Sequence, residues 1–426
     1  MIRPVIPLFL LALCVDPAVA QETTLTLDAC RQAAVTHSPL TARQALAGEK
    51  REARDQAVSS SLIPQLELNA QASYQNDVPT FPDDLPIAIT FDLPRDQYKA
   101  TVDLSQVIYG GGSVRNTKRV NEATEQVETA SLEVQLDRLR DRINDIYMNI
   151  LLADRQLAVN TLMRQTLEAD MKVVAAQIAH GTATGGVRAS LQARLLELDQ
   201  QRAELLGTRS KLTDALATLT GLTITENTPL EVPIVPGSLP GESDISKRTE
   251  FTLFARQQEQ LDMQDKLLNS KSNPKLSLFA SGGYGRPGYN FFDRDFALMA
   301  IGGLRFNLPL TGWDATQKEK RANRVLSRDI DQQQRDFERN TRIEVDQYVT
   351  DIEKLQEITA LDPQIVAART DVRQRALAQL KGGVITDSEY LTEFNNEATA
   401  RINAEINALR LVQAWLKYDA ARGIYK

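Results

Sequence analysis

The stretch from Ser113 to Ala179 holds no proline and keeps a helical pattern throughout. At about 1.5 Å per residue, a helix over it would run about 100 Å, longer than one globular core can cover. Asp314 to Lys381 is a second stretch of the same kind, with Pro363 as its expected kink. Apolar residues step by three and four in both. Leu139, Ile143, Ile146 and Ile150 do so in the first, Val345, Val349 and Ile352 in the second, as in a coiled-coil seam. Each long pattern breaks at glycine, His180-Gly181 and Gly382-Gly383, and shorter helical patterns return over 187–219 and 388–421. Glycine reaches positive φ without steric cost, so Gly181, Gly382 and Gly383 are expected to reverse the chain.

Before each long helix lies a pair of alternating segments. Leu66, Leu68, Ala70, Ala72 and Tyr74 alternate with Gln65, Glu67, Asn69, Gln71 and Ser73. Tyr98, Ala100, Val102 and Leu104 alternate with Gln97, Lys99, Thr101 and Asp103. The period of two predicts strands, and hence a hairpin over 65–108. A second hairpin over 275–308 carries Leu276, Leu278, Leu304 and Phe306 on one face and Lys275, Ser277, Arg305 and Asn307 on the other. Each segment has about ten residues, enough for a tilted strand to cross a bilayer. Leu66, Leu68, Val102, Leu104, Leu276, Leu278, Leu304 and Phe306 are therefore expected to face lipid.

The two hairpins open alike, Ile63-Pro64-Gln65-Leu66-Glu67-Leu68 and Asn273-Pro274-Lys275-Leu276-Ser277-Leu278. The copies sit roughly 200–210 residues apart, well beyond a solenoid period of about 20–50. The expected organisation is a duplicated unit of helix, β-hairpin, long helix and return helix. Residues 1–20 read as a signal peptide ending at Ala18-Val19-Ala20. Residues 21–221 form the first repeat, with helix 26–60 capped by Thr26 and broken near Pro39, long helix 113–179 and return helix 187–219. Residues 222–241, with Pro229, Pro233, Pro236 and Pro240, form a linker. Residues 242–426 form the second repeat, opening on a helix over 244–271 and continuing through long helix 314–381 and return helix 388–421.

Four strands cannot close a membrane barrel, and an open sheet edge is not tolerated in lipid. Several copies must share one barrel. Two would give a filled interior of eight strands; three would give twelve strands and a lumen. The polar strand faces suit a wet interior. Tyr74, Tyr98, Tyr284, Tyr289, Phe291, Phe292 and Phe296 cluster at the hairpin tips, as an interfacial girdle would.

The doubled order, with Tyr109-Gly110-Gly111-Gly112-Ser113-Val114-Arg115 and Gly383-Val384-Ile385-Thr386-Asp387-Ser388-Glu389-Tyr390-Leu391, resembles the TolC-like outer-membrane efflux protein family over essentially the whole mature chain. The resemblance implies a mainly α protein with a membrane β-barrel: a homotrimer with a twelve-stranded barrel and a long periplasmic α-helical barrel. It implies an outer-membrane location reaching into the periplasm, and docking to a periplasmic adaptor and an inner-membrane pump. The expected function is the outer-membrane duct of a tripartite efflux or type I secretion system. The runner-up is a periplasmic coiled-coil adaptor that never enters lipid; two hairpins with an apolar face speak against it.

Family members carry acidic residues at the position of Glu389, in a constricted entrance. Asp387 and Glu393 stand beside it, and threefold symmetry would turn each carboxylate into a ring that attracts cations. The plainer reading is acidic charge complementing a helix N-terminus. The first turn differs, with Val187 where the second has Glu389, so the two tips are not expected to be equivalent.

Nothing points to catalysis or to a cofactor. Gly110 to Gly112 lack the Lys-Ser/Thr of a phosphate loop. His37 and His180 stand apart, without the clustered ligands a metal needs. Cys30 is the single mature cysteine, so no intramolecular disulfide forms. A formal charge of −7 argues against a nucleic-acid partner. Arg138, Arg140, Asp141, Arg142 and Asp145 read as a solvated helix face.

Overall fold

The computed structural model describes residues 24–78, 94–179, 185–226, 228–239, 244–290, 293 and 295–425. The expected signal segment, Gly181, His180, Phe291 and Phe292 lie outside the described residues. In chain order the elements are α1 (Leu27–His37), α2 (Pro39–Ser59), β1 (Gln65–Tyr74), β2 (Asp96–Tyr109), α3 (Ser113–Ala179), α4 (Gly185–Thr220), α5 (Thr249–Ser270), β3 (Lys275–Arg286), β4 (Ala297–Asn307), α6 (Trp313–Lys381) and α7 (Asp387–Ala421).

Local chemistry explains most boundaries. The Thr26 hydroxyl accepts from the Ala29 N–H at 3.2 Å and starts α1. Ser38 caps α2, accepting from Leu40 N–H at 3.2 Å, and Pro39 occupies the first turn, where its missing N–H costs nothing. α5 begins at Thr249 rather than near 244, because Asp244 accepts from the Ser246 N–H at 2.9 Å and folds those residues into a turn. Pro363 lies inside α6 without ending it.

The strands form one antiparallel sheet in the order β1-β2-β3-β4. At its helix end two corners clasp each other: Asn273 Nδ2 donates to Gly111 O at 2.8 Å. Gly111 has φ +66°, and a Cβ there would sit 2.9 Å from that of Asn273, so both backbone and space call for glycine.

Beside the sheet the helices follow its order, α2 on α3, α3 on α5, α5 on α6; farther away α3 packs on α4 and α7, and α7 on α6. α3 and α7 run antiparallel over a long distance, tied by Asp145–Gln413 at 3.4 Å, Arg155–Glu405 at 3.8 Å and the Tyr390 hydroxyl on Asp170. The coiled-coil seam residues Ile143, Ile150, Val345 and Ile352 are buried.

The middle of the molecule is a belt around Tyr147, whose hydroxyl lies 2.6 Å from Leu25 O and 2.7 Å from Glu231 O. Leu25 pairs with Leu230, joining the N-terminal segment to the chain between α4 and α5. Cys30 is buried beside this belt, and burial pushes its thiol up to about 12.

One expectation fails here. Asp141 is not on a solvated face: the C-terminal residues cover it, and the Tyr425 hydroxyl donates to it at 3.1 Å. Burial raises its carboxyl from 3.8 to about 6, against the pull of Tyr425 and Arg248. Asp141 is half-buried; neighbouring Asp137 is buried and accepts from the Thr249 hydroxyl at 2.8 Å. Arg138, Arg142 and Asp145 are exposed. Helical periodicity could not foresee cover supplied by residues far along the chain.

Candidate functional site

Two regions concentrate the unusual features: the sheet, and the end of the helices farthest from it. In an antiparallel sheet, directly opposed residues share a face. The register aligns Leu66, Leu104, Ala280 and Gly302 in one row, and Leu68, Val102, Gly282 and Ala300 in the next. Leu278 opposes Leu304 and Leu276 opposes Phe306. A bulge between Val107 and Tyr109 brings Tyr109 opposite Leu276. All eight expected lipid-facing residues therefore lie on one face. Leu66, Leu68, Val102, Leu304 and Phe306 are exposed, Leu68 by 77%. Leu104, Leu276 and Leu278 are half-buried. The aromatic residues at the far end of the hairpins stack: Phe296 lies 5.4 Å from Tyr284 and 6.2 Å from Tyr98 between ring centres.

The opposite face is polar on β1 and most of β2, and mixes Phe279, Met299 and Ile301 with polar residues on β3 and β4. Asp103 accepts from Asn69 at 2.6 Å and from the Thr101 hydroxyl at 3.1 Å. Arg305 lies over the Phe279 ring at 5.0 Å. The two outer strands, β1 and β4, each have one unpaired edge within the chain.

At the other end, α6 closes on Gly382 and Gly383. Gly383 has φ +71°, its N–H donates to Leu380 O at 3.0 Å, and Val384 N–H donates to Gln379 O at 2.9 Å. This paired closure requires a left-handed residue, and glycine takes that shape without strain. Thr386 then opens α7 in a reciprocal cap. Its hydroxyl accepts from Glu389 N–H at 3.2 Å, and the Glu389 carboxylate accepts from Thr386 N–H at 2.7 Å. These donors hold the exposed Glu389 carboxyl below its usual range, so it is charged at neutral pH. Asp387 stands in the same first turn, half-buried. Glu393 lies one turn deeper, 3.6 Å from Arg369. The three carboxylates share the start of one helix. Glu389 is committed to its own cap and Glu393 to α6.

Just inside this tip lies a cluster that sequence reasoning missed. Arg373 of α6 donates to Asp170 of α3 at 3.1 Å and, through Nε, to Glu397 of α7. The Tyr390 hydroxyl donates to Asp170 as well. Glu397 also accepts from the Thr370 hydroxyl at 2.9 Å and from Arg401 at 2.7 Å. The Glu397 side chain is 3% exposed, Asp170 9% and Arg373 10%. Burial alone would raise Glu397, but its Arg401, Thr370 and Arg373 partners outweigh that and hold it low. Buried charges of this kind bind three helices at a fixed rotation. Only the Glu397–Arg401 spacing of four was visible in the sequence.

Among the described residues, no helix is long and apolar enough to cross a membrane, and no group of three His, Cys, Asp or Glu side chains is placed to hold a metal.

No protein-family model matches the chain, and no curated protein matches it either. Solved structures do. The outer membrane protein VceC of Vibrio cholerae superposes with a TM-score of 0.67 at 16% identity, covering 93% of this chain and 96% of that one. CusC, described in terms of folding and transmembrane channel formation, gives a TM-score of 0.70 at 13% identity over 94% and 92%. The open state of the MtrE outer membrane channel of Neisseria gonorrhoeae gives 0.65 at 16% over 93% and 89%. The chain thus has the fold of TolC-like outer-membrane channels along nearly its whole length.

Proposed function

We propose that this protein is an outer-membrane channel, a passive duct carrying solutes from the periplasm to the exterior as the outer component of a tripartite efflux or type I secretion system. The observation that carries the reading is the sheet: one face predominantly apolar, interrupted by Gln106 and by Arg286 at the far end, the other predominantly polar, and an open edge on each side. Open edges are costly in lipid. Three copies joined edge to edge give a closed twelve-stranded barrel whose polar face lines a lumen. The helices continue beneath it as a tube of about 100 Å through the periplasm. Both are built twice over in each chain, as a duplicated unit. The first repeat, residues 21–221, and the second, 242–426, follow the signal peptide and are joined by 222–241.

The tips formed by the α6–α7 turn and by the residues around Gly181 would meet a periplasmic adaptor, and through it an inner-membrane pump. Asp387, Glu389 and Glu393, repeated by symmetry, would make the entrance acidic. The apolar sheet face argues against an adaptor that stays in water.

The test is assembly and conduction. Detergent-purified protein should have the mass of three chains and give stable conductance steps in planar bilayers. A monomer recovered from the soluble periplasmic fraction would end this reading.

A further inference from the structure

The chain is acidic overall, with a formal charge of −7, yet its charge is sharply uneven along the barrel axis. The four stretches joining the sheet to the helices, residues 54–64, 110–120, 265–274 and 308–321, hold nine Lys or Arg and four Asp or Glu. The two stretches joining the strands at the opposite end, 75–95 and 287–296, hold six Asp and two Arg. The basic band therefore encircles only the helix end of the barrel.

This band adjoins an apolar one. Leu310 is 80% exposed, Trp313 67% and Ile63 59%, all in the stretches that join the sheet to the helices, at the end of the sheet where Phe306 lies. Tryptophan at a boundary between apolar and polar surface suits a membrane interface, where its ring is apolar and its N–H is wet. Trp313, Lys320 and Arg324 follow at intervals of seven and four, so they lie on one side of α6 within about 40°. That side flanks the seam with α5, where Glu319 meets Lys271 at 3.1 Å, Asn323 meets Asp265 at 2.7 Å and Ser327 meets Gln258 at 2.6 Å; Lys320 is half-buried at the seam's edge, while Trp313 and Arg324 are exposed. Lys320 and Arg324 stand about 10 and 16 Å below Trp313 along the helix, and long basic side chains reach upward to headgroups.

We infer that this collar binds the anionic phospholipid headgroups of the periplasmic leaflet. The inference rests on the channel reading and adds a lipid preference to it. Each Lys or Arg close to an anionic surface favours it by about fivefold. With the collar repeated in every copy, anionic lipid should gather around the base of the barrel. It would fix the depth of the barrel and keep Trp313 at the interface.

The experiment uses the intact oligomer in nanodiscs of phosphatidylethanolamine and phosphatidylglycerol at four to one. The lipids that stay with the protein after gentle detergent extraction are counted by native mass spectrometry. Phosphatidylglycerol should be enriched about threefold or more over input. The triple variant Arg115→Gln, Lys320→Gln, Arg324→Gln should return to the input ratio, while Arg188→Gln, at the far end of the helices, should leave the enrichment intact. Equal ratios for wild type and triple variant would overturn the inference, and so would an equal loss in Arg188→Gln. A triple variant that falls apart into monomers would show that the basic face meets a second copy. One that keeps its lipid but shifts ion selectivity would show that the face lines the pore. Protein that never enters the nanodisc would instead sink the channel reading itself.

Discussion

Replacing Arg373 with methionine keeps most of the side-chain stem and removes the charge that joins three helices. Glu397 keeps Thr370 and Arg401 as partners, so the loss falls on Asp170, left with the Tyr390 hydroxyl alone. The Asp170 side chain is 9% exposed, too little for water to replace the guanidinium. Stranding a buried charge costs about 3–5 kcal/mol. A carboxyl can escape by taking a proton, which for an ordinary aspartate costs about 4 kcal/mol at pH 7 and about 1.5 kcal/mol at pH 5. The penalty is therefore about 3–4 kcal/mol at neutral pH and about half that or less at pH 5. Amide hydrogen exchange in α3 and α7 around Asp170 and Glu397 reads it directly. After correction for intrinsic rates, exchange should accelerate by two to three orders of magnitude at pH 7 and by about tenfold at pH 5. Adding Asp170→Asn should recover most of the protection, since the stranded group is then neutral. Equal acceleration at both pH values, or no recovery, would refute the claim that an uncompensated carboxylate is the cause.

Leu68→Arg should hinder oligomer assembly far more than Glu67→Arg, at about 2–4 kcal/mol per site on a lipid face, scored by heat-modifiable mobility in gels; equal tolerance would reverse the faces. Gly383→Val should destabilise the tip by about 1–2 kcal/mol and Gly383→Asn by less, measured by local proteolysis, because there is space around Gly383 and only its positive φ resists a side chain. Asp141→Asn should stabilise the protein above pH 6 by about 1–2 kcal/mol after allowance for solvent screening, and little below pH 4. The sign follows from the raised carboxyl: the folded state holds the proton more tightly, so stability falls as pH rises from 3.8 towards about 6. Thermal unfolding across that range checks it. Glu389→Gln should lower cation preference in bilayer reversal potentials; an unchanged potential, also with Glu393→Gln added, would leave Glu389 as a helix cap alone.

What could be read in the sequence followed the range of each interaction. The long helices, the strand faces and the turn at Gly382-Gly383 are set by neighbours a few residues apart, and a single sequence displays those. The Thr386–Glu389 cap was equally legible, as a Thr followed three residues later by Glu, but the same glutamate also fitted an entrance ring. Both uses draw on one exposed carboxylate, and the capping geometry leaves its charge in place. The Asp170–Arg373–Tyr390 cluster was beyond reach for a different reason. Its members are 203 and 220 residues apart, and each alone looks like one more charge or ring on a polar helix. Asp141 was misread for the same cause, since Tyr425 covers it from 284 residues away. The basic collar shows a third kind of blindness. Its residues were all in view, but an overall charge of −7 averages over acidic loops at one end of the sheet and basic corners at the other. Only the order of the strands, with loops alternating between the two ends, separates those charges in space. A net charge therefore constrains the partner of a soluble globule better than it constrains a protein built along an axis, where each level meets a different medium.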